Sequence, residues 1–136
     1  MPKDVMARLG EVEFLKRRAL AFLADAQTDF ERGEYDLVLF HVEQFMQLYL
    51  KHLLYRRLGD FPRTHSPLEL FKQLSKAYDS TAVAEFYRSN MEMLVLLEES
   101  YISSRYLPRS YGRDIAERVL GFSTRLKEMF EWLEKT

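Results

Sequence analysis

Residues 19–54, ALAFLADAQTDFERGEYDLVLFHVEQFMQLYLKHLL, decide the fold. Ala19, Phe22, Ala26 and Phe30 recur at spacings of three and four, one buried stripe of an amphipathic helix. Upstream, Val12 and Leu15 extend the stripe, so the first helix is expected from about Asp4 to Arg32. Gly33 then stands where a helix end favours a residue able to take positive φ. With only Glu34 left before the next pattern begins, the chain must turn straight back as an antiparallel helical hairpin. The second helix reads from Tyr35 to Leu58 and stops at Gly59. Its middle, LVLFHVEQFMQLYLKHLLY, is apolar round far more than one stripe. Such a helix is either central in its bundle or covered by another subunit, and both are expected here.

Beyond this hairpin, the segment DFPRTHSP (residues 60–67) reads as a loop with two prolines. Ser66 is placed to cap a short third helix, with Pro67 in its first turn and Leu68, Leu70, Phe71 and Leu74 on it. After a break near Asp79 and Ser80, a fourth helix carries Val83, Phe86, Tyr87, Asn90, Leu94, Leu97 and Tyr101. The helical pattern fades near Pro108 and returns at about Gly112 to Asp114. There Ile115, Val119, Phe122, Leu126, Met129 and Leu133 form a seam too short for a separate coiled coil, so it is assigned to the bundle core. The expected architecture is all-α, an up-and-down bundle of about five helices, with residues 1–136 as a single domain.

Composition narrows the function classes. The chain has 136 residues, 47% of them hydrophobic, enough for one core. With 20 basic and 21 acidic residues, it has no overall electrostatic pull towards nucleic acid or an anionic membrane. The absence of Cys rules out disulfides and thiolate chemistry. No apolar run approaches membrane-spanning length, and the first residues lack a secretory apolar core, so a cytoplasmic location without membrane contact is expected.

Three pieces resemble the HEPN family. They are the hairpin with its Gly33, Tyr35-Asp36 and Gln-centred second helix bearing Lys51; Thr64-His65 before SPLELFKQL; and Ser104-Arg105-Tyr106 ahead of a last amphipathic helix. The resemblance implies a helical bundle that commonly dimerises and handles nucleotides or RNA. In prokaryotes it implies association with a small nucleotidyltransferase in toxin–antitoxin modules. Ribonuclease members place a His after an Arg with four to six residues between the two. Here Arg105 matches the Arg, but Ser110, Tyr111 and Gly112 stand where His belongs, and none of them exchanges a proton near neutral pH as imidazole does. Some such modules are adenylylated on a Tyr seven residues past the Arg; Tyr111 lies six past Arg105.

Two basic stretches are candidate sites. Arg105, Arg109 and Arg113 alternate with Tyr101, Tyr106 and Tyr111, a set suited to phosphate and a stacked base. The same arginines would also serve as helix caps paired with Glu98 and Glu99. Lys51, His52, Arg56, Arg57, Arg63 and His65 form the second stretch, explained either by a shared anion site with Arg105 or by the dipole of the second helix. His65 is expected to hydrogen-bond from loop to helix. His41 and His52 lie three helical turns, roughly 16 Å, apart and cannot share a metal. Gln44 and Asn90 are read as a hydrogen-bonded pair between helices.

The functional expectation is a non-enzymatic module, without a catalytic set, metal or cofactor. It would be a homodimer binding a nucleotide or RNA phosphate through Arg105, Tyr106, Arg109, Lys51 and His65, or partnering a nucleotidyltransferase with Tyr111 as the modified residue. The alternatives are a divergent ribonuclease joining Arg105 to His65, and a purely structural dimer.

Overall fold

The computed structural model describes residues 3–106 and 111–136, with side chains from residue 10 onward and not between 104 and 110. Six helices follow in order: α1 (Lys3–Glu31), α2 (Tyr35–Leu58), α3 (Pro67–Ala77), α4 (Thr81–Ser89), α5 (Met91–Tyr106) and α6 (Arg113–Glu134). No strand occurs among the described residues. The boundaries follow local chemistry. Gly33 takes φ 77°; its amide bonds Phe30 O at 3.1 Å and that of Glu34 bonds Asp29 O at 2.8 Å, which satisfies the last carbonyls of α1. Gly59, at φ 79°, closes α2 through Tyr55 O. The hydroxyl of Ser66 accepts from Glu69 N, and that of Ser80 from Val83 N, so α3 and α4 both begin on serine caps.

The expected fourth helix is in fact two. Asn90 leaves helical geometry at φ −117°, ψ 21°, and its Nδ2 donates to Phe86 O at 2.9 Å. An Asn amide competes with the backbone for such carbonyls, and α4 ends there. Its Oδ1 accepts from Arg125 on α6, while Gln44 donates to Glu43. The expected Gln44–Asn90 pair does not form.

α2 lies in the middle, packed against α1, α3, α5 and α6. Thirteen of its residues are buried, among them Val38, Leu39, Val42, Phe45, Met46, Tyr49, Leu50, Leu53 and Leu54. Its own chain therefore accounts for the apolar circumference. The seam of α6 sits slightly off the expected register: Ala116 and Phe130 are buried, whereas Ile115 is 38% exposed. Aromatic rings join the layers, with Tyr49 stacked on Phe130 at 4.8 Å and Phe86 between Phe71 and Phe122. No described helix is long and apolar enough to cross a membrane.

Candidate functional site

Glu43, Gln47 and Lys51 recur every four residues and so share one face of α2. All three are buried. A buried charge needs hydrogen bonds or a partner to offset lost hydration. The Glu43 carboxylate accepts from Gln44 Nε2 at 2.8 Å and from Gln47 Nε2. Burial pushes the Lys51 ammonium below its ordinary value; Glu43 pulls it back up and Arg63 lowers it further. Lys51 Nζ lies 5.6 Å from the centre of the Phe61 ring, whose π-face offers some replacement for water.

The α2–α3 loop brings His65 to this row. Its Nδ1 lies 3.3 Å from Gln47 Oε1, the loop-to-helix bond expected from the sequence. The exposed imidazole also stacks on Tyr101 of α5 at 5.9 Å and 18°. Tyr101 in turn is near-parallel to Phe40 at 6.5 Å and 17°, so three rings make a ladder with His65 at its more exposed end. Tyr101 precedes Arg105 by one helical turn on α5. One part of the second basic stretch thus reaches the helix that carries the first.

The rest of that stretch goes elsewhere. Arg57 donates to Ala77 O and covers Tyr78, closing α3. Arg56 donates to Glu134 O at the end of α6. Arg63 is 80% exposed, over Phe61 and 4.0 Å from Asp60. Cations do complement helix C-termini, as the dipole reading expects, but two of the ends they serve belong to α3 and α6.

The side chains of Arg105 and Tyr106, and Arg109 entirely, lie outside the described residues. Arg113 rests over Phe30 at 5.1 Å. Tyr111 is buried in the core, 8% exposed, with its hydroxyl 3.0 Å from Ser103 Oγ and its amide donating to Asp36 Oδ1 at 2.6 Å. That bond ties the start of α2 to the approach of α6.

A second polar cluster was not evident from the sequence. His52 is 1% exposed, with Nδ1 donating to Val12 O at 2.8 Å. Its Nε2 has no hydrogen-bond partner and lies 3.6 Å from Glu134 Oε1. Glu134 also accepts from Tyr49 OH and from Lys16 Nζ, the latter at 2.8 Å. Burial drives the His52 imidazole below its usual value, outweighing the Val12 carbonyl and Glu134. Burial, then Glu134, raise the Tyr49 phenol above its usual range. Burial alone would raise the Glu134 carboxyl, but hydrogen bonds from Lys16 and Tyr49 together hold it below the ordinary value. The pairing links residues up to 118 positions apart, so no local pattern could have announced it. It joins α1, α2 and α6. Among the described residues, no group of three or more His, Asp or Glu is arranged to hold a metal.

A model of the HEPN domain matches residues 12–135 of this chain. No curated protein and no solved structure gives a significant match.

Proposed function

The chain belongs to the HEPN family, and from that premise we propose that it is a non-catalytic module binding the phosphate of a nucleotide or RNA at the α2–α5 face. One observation carries the reading: exposed His65, bonded to Gln47, stacks on Tyr101, which precedes the Arg105 position by one turn of α5. An aromatic ladder offers a stacking platform, and cations beside it supply the attraction for phosphate. In this reading Arg105 and Lys51 hold the anion, with Arg109 and Tyr106 in support. The module acts as a homodimer, alone or beside a small nucleotidyltransferase in a toxin–antitoxin pair.

Calorimetric titration of the protein with inorganic phosphate, AMP and a short single-stranded RNA tests this. Saturable binding is expected, weakened about tenfold or more for all three ligands in Arg105→Ala, the scale of one lost charge-assisted hydrogen bond, and weakened for AMP and RNA but not for inorganic phosphate in His65→Ala. Silence from all three ligands would sink the proposal.

The same placement of His65 favours a second reading, a divergent ribonuclease in which His65 supplies the proton transfer that Ser110, Tyr111 and Gly112 cannot. Cleavage of RNA by metal-free protein, abolished in both His65→Ala and Arg105→Ala, would replace binding with catalysis.

A further inference from the structure

Gln47 donates its Nε2 to the Glu43 carboxylate, and that choice fixes the rest of its amide. The Glu43 carboxyl oxygens accept amide NH2 groups from both Gln44 and Gln47. Gln47 Oε1 is thereby turned towards His65, 3.3 Å from Nδ1. A carbonyl oxygen cannot donate. The imidazole nitrogen facing it must carry a proton, and in the Nδ1–H tautomer Nε2 is an acceptor. Gln47 is 3% exposed and Glu43 fully buried, so packing holds the amide's orientation. No described protein group bonds Nε2 of His65, and the ring itself is exposed.

We infer that Glu43 and Gln47 are positioning residues that hold His65 in its Nδ1–H tautomer, so that Nε2 accepts a hydrogen bond from a ribose hydroxyl of the ligand. The inference rests on the nucleotide-binding reading above and narrows it to ribonucleotides. A phosphate dianion brings acceptors alone and cannot satisfy a lone pair at Nε2; a sugar hydroxyl can. The site therefore divides the ligand by chemistry. Cationic Arg105 and Lys51 take phosphate, the open face of His65 extends the Phe40–Tyr101 ladder under a base, and its Nε2 takes the sugar. The 2′-hydroxyl is the group by which a protein tells RNA from DNA.

Two measurements on the full chain test this. Long-range 15N–1H NMR of the ligand-free protein reads the His65 tautomer directly, and Nδ1–H is expected. In Glu43→Gln the new amide can donate to Gln47 Oε1 and turn Gln47 Nε2 towards His65, so the tautomer should reverse to Nε2–H. Gln47→Met, which removes the acceptor without adding charge, should give a mixture. Calorimetry with AMP and its 2′-deoxy and 3′-deoxy counterparts then reads the ligand side. Loss of one hydroxyl should weaken binding about fivefold to tenfold in the wild type, the range for a single hydrogen bond, and much less in Glu43→Gln. An Nε2–H tautomer in the wild type overturns the positioning role. Equal affinity for AMP and both deoxy forms overturns the ribose contact while leaving phosphate binding intact. Absence of binding by any of them overturns the nucleotide reading itself.

Discussion

Lys51 carries a tension between stability and function. Its ammonium is buried beside Phe61, and burial holds its proton affinity below the ordinary value. An exposed surface lysine would not be so costly to keep charged. Lys51→Met keeps the length and apolar stem, so the variant should unfold at the same or higher denaturant concentration, by up to about 1 kcal/mol, while binding phosphate more weakly. A variant both less stable and unchanged in binding would remove Lys51 from the site. His52 makes a pH prediction. Its folded-state affinity for a proton lies below the ordinary 6.5, so the unfolded chain binds the proton first as pH falls. Stability is therefore full above about pH 6.5 and declines below it. Glu134, also held below its ordinary value, adds a further loss at lower pH, below about 4.5. Tyr49 works at the other end, because the unfolded chain loses the phenolic proton first above about pH 10. Denaturant midpoints across pH 5 to 8 should flatten in His52→Gln. An unchanged slope would place the titration elsewhere.

Among the elements, the caps decide where α3, the bearer of the His65 loop, begins. Ser66 Oγ accepts from Glu69 N at 3.2 Å, and Ser66→Ala should cost about 1 kcal/mol in urea unfolding. Gly59 sits at φ 79°, and its Ala variant should cost a similar amount, about 1 kcal/mol. Both substitutions loosen the segment that holds His65 on Tyr101, so both should also weaken nucleotide binding; wild-type affinity in the two would detach the loop from the site. These caps were legible from Gly, Ser and Pro alone, since each acts within a few residues of its own position. The break at Asn90 was not. The apolar spacing runs on from Val83 to Leu97, and only the hydrogen bonds to Phe86 and Arg125 interrupt it.

For the molecule as a whole, the central place of α2 changes the argument for pairing. The middle of its apolar circumference is covered by α1, α3, α5 and α6 of the same chain, and of its apolar residues only Leu37 and Leu58, near its two ends, are exposed. Exposed large apolar side chains among the described residues occur on several helices, Phe14, Leu37, Leu58 and Trp132 among them, and on α5 Val95 and Ile102, seven residues apart, are 38% and 55% exposed. The homodimer proposed above would then use α5 and bring two Arg105 positions together. Light scattering at tens of micromolar should give twice the chain mass of 16.2 kDa, falling to one chain in Val95→Lys/Ile102→Lys. A single-chain mass in the wild type would end the dimer proposal.

By itself, the sequence determined the all-α class, the helices other than the division of α4 from α5, and the family. Helical periodicity, Gly33, Gly59 and Ser66 are local signals, and the hairpin of residues 19–54 leaves the chain little choice of direction. It also singled out Lys51, His65 and Arg105, and exposed the lack of a His after Arg105. Only the tertiary structure decided that His65 stacks on Tyr101, that Glu43 and Gln47 stand behind it, and that Tyr111 is buried in the core. Those depend on how α2, α5 and the α2–α3 loop pack, contacts between residues far apart in the chain. Periodicity fixes which face of a helix is buried, but not which neighbour covers it.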